Sequence, residues 1–187
     1  MSVEFTGKQA CIAPEGVFII GTYDENGVPN AMNAAWGAQS DFDEITLFLG
    51  KHKTTENIKH SKAFTVAFAT KDTVVISDYF GVESGKNADK IAKAGVHVRK
   101  SAFVDAPVIE EYPVTLECRL QELQELEGEV RVVGEVVNMS ADDAVLDENG
   151  RIDAGKLQPV SYDAVAKKYR LVGEIVGNAF SDGKALK

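Results

Sequence analysis

The sequence predicts a mainly β protein whose strands close, or nearly close, into a barrel. Three observations carry that expectation. An Asn-Gly turn separates two apolar, β-branched runs, Gly16 to Tyr23 and Val28 to Trp36, and residues that tolerate positive φ between two such runs mark a hairpin. Two longer runs, Tyr112 to Leu123 and Glu129 to Met139, meet around Glu127-Gly128 and read as one two-stranded ribbon. The helical stretches between them are brief, so the alternation of long strands and long helices in a Rossmann fold is missing. About six strands, mostly hairpin-connected, suit a barrel.

Along the chain, Asp24-Glu25-Asn26-Gly27 supplies the first turn. Glu44 to Leu49 reads as a third strand ended by Gly50, and Ala63 to Ala69 as a fourth. Between them, Thr54-Thr55-Glu56-Asn57-Ile58 reads as a short helix with a threonine at or near its N-cap, where a side-chain oxygen can accept an orphaned backbone N–H. Val74 to Phe80 stays open: its β-branched start favours strand, while Asp72-Thr73 could cap a helix. Asn87 to Ala94 is helical and Gly95 stops it. Pro113 has no N–H to give, so it belongs at the ribbon's start or edge. A turn at Glu148-Asn149-Gly150 leads to a short helix near Asp153 to Leu157. Helices are therefore expected only near 54–61, 87–94 and 153–157. No repeat or linker divides the chain, which reads as one domain over 1–187.

The 187 residues are 44% hydrophobic and 26% charged, enough to bury a core without disulfides or metal. Cys11 and Cys118 lie far apart, which argues against a disulfide scaffold, a zinc module or a thioredoxin-type pair. Met1 to Gly7 has no basic n-region or apolar h-region, and no apolar run reaches the ~20 residues of a bilayer span. The expected setting is cytoplasmic and reducing. With 29 acidic against 20 basic residues the net charge is −9, which repels nucleic acid and anionic membranes. The charge is uneven. Residues 51–62 carry a local +3 and residues 86–100 a local +4, leaving −16 elsewhere. Two basic islands suit a small anionic ligand; ordinary solvated lysines on helix faces are the plainer alternative.

Familiar signatures fail. Gly81-Val82-Glu83-Ser84-Gly85-Lys86 is one residue short of a phosphate loop, and Asn87 stands where a magnesium-binding hydroxyl belongs. The turns at Gly27 and Gly150 lack calcium ligands in register. No GxGxxG or GxSxG occurs, and His52, His60 and His97 have no metal-ligand spacing, so they read as surface residues, although His52, in the first basic island, could touch an anion. Lys51-His52-Lys53-Thr54-Thr55-Glu56-Asn57-Ile58 survives. It puts lysines and hydroxyls where a strand hands over to a helix, and free N–H groups at a helix start favour an anion. Lysines add charge-assisted donors. The pattern suits a phosphate monoester, or simply a capped surface helix. In Pro29-Asn30-Ala31-Met32-Asn33-Ala34-Ala35-Trp36-Gly37, Asn30 and Asn33 can donate and accept, as a heteroaromatic edge requires. Small Ala34 and Ala35 leave room for a flat ligand beside Trp36, which could equally anchor the core.

These segments, in order with Gly21-Thr22-Tyr23-Asp24, Asp78-Tyr79-Phe80-Gly81, Ser84-Gly85-Lys86 and Ala88-Asp89-Lys90, resemble the flavin reductase-like, FMN-binding split-barrel family, in its flavoredoxin branch. Val104-Asp105-Ala106-Pro107, Leu116-Glu117-Cys118-Arg119 and Gly177-Asn178-Ala179-Phe180 extend the likeness along nearly the whole chain. The resemblance implies a six-stranded Greek-key split β-barrel with a few short helices. It also implies a homodimer with FMN held non-covalently at the subunit interface. By the same resemblance Lys53 and Thr54, with Asn57 close behind, are phosphate ligands, and Lys51 is a further candidate. Lys90 is implied as a second cation. Asn30, Asn33, Ala34, Ala35 and Trp36 are implied as the wall beside the isoalloxazine and ribityl chain, with Tyr162 brought onto the flavin from the C-terminal segment. The sequence departs from the family in three places: Thr54-Thr55 offers two hydroxyls, Asn33 replaces a frequent threonine, and Gly50-Lys51 replaces an arginine-containing pair. A flavin carries hydride or single-electron chemistry itself, which accounts for the lack of a nucleophile, dyad or metal motif. The implied function is a flavoredoxin-like oxidoreductase. NAD(P)H is a candidate donor, and a redox partner protein or small molecule the acceptor. An FMN store or sensor without turnover is the alternative, and a cofactor-free structural barrel is the third reading.

Overall fold

A computed structural model describes residues 14–187; Cys11 and the stretch Met1 to Gly7 lie outside the described residues. The order begins β1 Glu15–Gly16, β2 Phe18–Tyr23, β3 Pro29–Ala34, β4 Gly37–Asp41, β5 Glu44–Gly50, α1 Lys53–Ser61 and β6 Ala63–Phe68. It continues α2 Val74–Val82, α3 Lys90–Ala94, β7 Val98–Lys100, β8 Pro107–Ile109, β9 Val114–Glu125 and β10 Glu129–Ala141. After α4 Ala154–Leu157, the hairpin β11 Val160–Asp163 and β12 Lys168–Leu171 completes the strands. The expected strands at 16–23, 44–49, 63–69 and the ribbon are all present, and Pro113 immediately precedes β9.

Two expectations are corrected. Six strands become twelve among the described residues, because β1, β7, β8, β11 and β12 have only two to four residues each. β4, Gly-Ala-Gln-Ser-Asp, is almost wholly exposed and shows no apolar alternation. The segment left open between strand and helix is the helix Val74–Val82, which adds a helix to the three expected near 54–61, 87–94 and 153–157. Its valines would suit a strand, but as a helix the segment buries Ser77 and Phe80 against the sheet. Packing outweighs the weak propensity of β-branched residues.

Seven strands form the main sheet in the order β3-β2-β6-β9-β10-β5-β4. Its edge strands β3 and β4 are consecutive in the chain, with only Ala35 and Trp36 between them. Two residues span at most ~10 Å, so the sheet curls until its edges adjoin. No ladder joins β3 to β4, and the barrel stays split instead of closing. In the first hairpin Asp24 Oδ1 accepts from the N–H groups of Asn26 and Val28 at 3.0 and 2.9 Å. Only Gly27 takes positive φ there, +76°, giving a three-residue loop instead of a turn with two left-handed residues.

Residues at i and i+2 point to one face of a strand. Phe18 and Ile20, Met32 and Ala34, Ile45, Leu47 and Leu49, Phe64 and Val66, and Val130 and Val132 therefore share the interior, with Ile58 of α1 and Cys118. The opposite face of β2, β3 and β6 carries Ile19, Ala31 and Ala67, covered by Phe80 of α2, Ile91 of α3, Ile109 and Tyr112. The ribbon β9–β10 is bulged at Val133/Gly134 and Val136/Asn138. A Cβ on Gly134 would stand 2.4 Å from Phe64 Cζ. Glycine is required at that approach. The buried Glu117 carboxylate is satisfied by the Ser101 hydroxyl and by Asn138 Nδ2 at 2.8 Å, which ties the β7–β8 loop to the ribbon.

Candidate functional site

Four chain segments converge at the split: the end of β3, the handover from β5 to α1, the end of α2 and the β11–β12 hairpin. They bound a cavity of about 560 Å³ lined by Asn33, Ala34, Ala35, Trp36, Phe48, Asp78, Gly81, Val82, Tyr162 and Tyr169, among others. It shares Met32, Asn33, His52, Gly81 and Val82 with a polar recess of about 180 Å³, to which Asn30, Lys53, Thr54, Ser84, Gly85 and Lys90 are added. One end is apolar and aromatic; the other is cationic.

The β5–α1 junction separates the two threonines. Thr55 Oγ1 accepts from His52 N–H at 3.0 Å and donates to Gly50 O at 2.6 Å, so its hydroxyl closes the junction. Thr54 Oγ1 accepts from Asn30 Nδ2 at 2.9 Å, and its own proton has no acceptor among the described residues. Thr54 lines the recess and Thr55 does not.

Lys53 Nζ reaches Asp24 Oδ2 at 3.1 Å. The Asp24 carboxyl is held below its ordinary range, chiefly by the Val28 N–H, with Lys53 assisting. Lys90 is 4% exposed and donates to Phe80 O and Glu83 O, at 3.0 and 3.1 Å. Burial lowers its pKa to about 8, against the pull of Glu83. With two donors on carbonyls at the end of α2, its third remains for the recess it lines. Asn33 Nδ2 donates to Ser77 O at 2.8 Å, which fixes α2 across β3.

The β11–β12 hairpin places Tyr162 and Tyr169 as direct cross-strand partners, with ring centroids 6.0 Å apart. Tyr169 Oη donates to Asp78 Oδ1 at 2.8 Å. Burial, then the hydrogen bond to Asp78 and that group's charge, pushes this phenol to about 12. Trp36 is 63% exposed at the cavity, so it is no core anchor.

Of the residues expected at the site, Asn30, Asn33, Ala34, Ala35, Trp36, Lys53, Thr54, Lys90 and Tyr162 meet at this cavity and recess. Lys51 and Asn57 do not. Lys51 is exposed at the turn that leads into α1. Asn57 sits one helical turn farther on, where its Nδ2 donates to Thr22 Oγ1 at 2.9 Å. Sequence reading gave no site role to Phe48, Asp78, Tyr169 or the loop Glu83-Ser84-Gly85. Two tyrosines flanking the short Asp163–Lys168 turn were a readable signal for Tyr169. The segment rejected as a phosphate loop does line the recess, through Gly81, Ser84 and Gly85.

The flavin reductase like domain, as a family sequence model, matches residues 11–162. The chain belongs to the flavin reductase-like family. Among solved structures, this flavin reductase-like chain is similar to the flavoredoxin of Desulfovibrio vulgaris (Miyazaki F). They are 32% identical with a TM-score of 0.92, over 97% of this chain and 100% of that one. It is also similar to the flavoredoxin from Methanosarcina acetivorans, 27% identical, TM-score 0.93, over 100% of both chains. The fold is the split barrel of that family, mainly β with few helices. An uncharacterized protein of Aquifex aeolicus is 28% identical over 131 residues, 70% of this chain; the match spans 63% of the relative's length. Tyr169 lies beyond the matched family domain.

The residues present fit a flavin mononucleotide. The apolar end offers aromatic walls to a ring, and the recess gathers two ammonium groups and an uncommitted hydroxyl for a phosphate. A Cβ on Gly85 would stand 2.1 Å from Asn30 Oδ1, so only glycine allows that backbone to close over the recess.

Proposed function

We propose that this flavin reductase-like chain binds FMN non-covalently and serves as a flavoredoxin-like oxidoreductase in the cytoplasm. The observation that carries the reading is the direct continuity of an aromatic cavity with a recess holding Lys53, Lys90 and Thr54. When bound, FMN supplies hydride or single-electron transfer. The chain binds, orients and shields. Lys53 and Lys90 offset phosphate charge, and Thr54 donates a hydrogen bond. Asn33, fixed by Ser77 O, offers polar contact beside the ring cavity. Trp36, Phe48, Tyr162 and Tyr169 offer aromatic surface to the ring.

The electron donor we propose is NAD(P)H, and the acceptor is a small molecule or a redox partner protein. A homodimer is part of the same reading. Its support is the exposure of Trp36 at the cavity and of Ile175, Val176 and Phe180 in the C-terminal segment.

The test is a fluorescence titration of the full chain with FMN and with riboflavin, which lacks the phosphate. FMN is expected to bind more tightly by about tenfold or more, because charge-assisted hydrogen bonds contribute ~1.5–3 kcal/mol each. Equal affinity would remove the phosphate from the recess. Anaerobic addition of NADH or NADPH then follows the flavin absorbance. Rapid bleaching supports the reductase, and bleaching by dithionite alone removes NAD(P)H as donor.

A further inference from the structure

The phosphate recess is not a blind end. Lys53 and Gly85 belong both to it and to a hollow of about 430 Å³ on the far side, lined also by Asp24, Glu25, Glu56 and Lys86. A ligand ending in one phosphate stops at the recess. A longer one, carrying a second phosphate and a nucleoside, would meet that hollow where it continued past Gly85 and Lys53.

The hollow is built against such an extension. Three carboxylates, those of Asp24, Glu25 and Glu56, stand there with two lysines and His60, and both lysines are already engaged. Lys53 Nζ holds Asp24 Oδ2 at 3.1 Å, and Lys86 Nζ holds Glu56 Oε1 at 2.7 Å. A second phosphate would have to break an ion pair and then lie against the released carboxylate. Like charges brought together at a binding site are a strong source of discrimination.

Asp24 cannot simply turn away. Its other oxygen accepts from Asn26 and Val28 N–H at 3.0 and 2.9 Å. The hairpin turn therefore fixes the carboxylate at the exit of the recess, and its lowered pKa keeps it ionised at neutral pH. The exit is also narrow: the Cβ position of Gly85 lies 2.1 Å from Asn30 Oδ1 and 3.4 Å from Lys53 Cδ.

We propose that Asp24, by holding Lys53 at the exit of the phosphate recess, confines this site to the flavin mononucleotide and excludes flavin adenine dinucleotide. This rests on the FMN reading above. Asp24 acts through Lys53 and is a positioning residue, not a catalytic one.

The experiment is a competition titration on the full chain in which FAD displaces FMN, followed by flavin fluorescence. The wild type is expected to favour FMN by about tenfold or more. Asp24→Asn keeps an oxygen for the turn N–H groups but loses the charge. It is expected to narrow that preference about tenfold while FMN affinity is unchanged or higher, which a general loss of structure would not produce. Glu56→Gln frees Lys86 without touching the hairpin and is expected to narrow the preference in the same direction. Added salt should also narrow it in the wild type. A wild type that binds FMN and FAD equally overturns this inference and leaves the FMN reading intact. So does a preference unchanged in both variants. A wild type that binds neither FMN nor FAD overturns the FMN reading itself.

Discussion

Thr54 and Thr55 are adjacent, buried and chemically identical, yet their hydroxyls have different partners. Thr55 spans Gly50 O and His52 N–H, whereas Thr54 faces the recess with its proton uncommitted. Thr55→Val is therefore expected to lower the stability of the chain by about 1 kcal/mol and leave the FMN affinity of the folded protein unchanged. Thr54→Val removes a phosphate donor and strands Asn30 Nδ2, so FMN affinity falls about tenfold. Thermal melts beside flavin titrations separate the two. Lys90 sets a pH window. Its pKa is lowered from 10.5 to about 8, so between these values the unfolded chain binds more protons than the folded one. Stability conferred through this group rises as pH climbs from about 8 to 10.5. Phosphate favours the charged ammonium, so FMN affinity is expected to fall as pH passes upward through about 8. Lys90→Arg, always charged, should flatten that fall. A wild-type affinity independent of pH across this range would take Lys90 away from the phosphate.

Among elements, the β9–β10 ribbon shows how one residue holds a sheet in shape. Gly134 follows a bulge, and its missing Cβ gives Phe64 its place in the interior. Gly134→Ala is expected to cost about 1–3 kcal/mol of stability, measured by denaturant unfolding. A melting point equal to wild type would mean that the ribbon yields there. The ribbon, the first hairpin and α1 were legible because their signals are local, although the N-cap of α1 is His52 and not a threonine. The helix at Val74–Val82 was not, since its β-branched start says one thing and its buried Ser77 and Phe80 another. The strands of two to four residues were also illegible, being too short to show a period.

At the scale of the whole molecule, several large apolar groups are left exposed. Phe180 is 99% exposed, and Trp36 stands at the mouth of the cavity. A second copy would cover such surface and deepen the groove, while the net charge of −9 limits further association. Light scattering on the flavin-bound protein is expected to give about twice the 20.2 kDa chain mass. A mass near 20.2 kDa with flavin still bound would leave the groove to one chain.

By itself the sequence determined the mainly β class, the principal hairpins and the basic start of α1. It also held, through the family likeness, most of the residues around the cavity. These are properties of short windows or of an ordered set of residue types. Only the tertiary structure decided which threonine faces the recess, that Asn57 turns to Thr22, and that Lys51 stays outside. It alone joined Tyr169 to Asp78 across 91 residues and put Asp24 on Lys53. The physical reason is that a hydrogen bond or ion pair depends on distance and direction in space. Two neighbours on a helix start differ by about 100° of rotation, and no residue type records which of them will face the site.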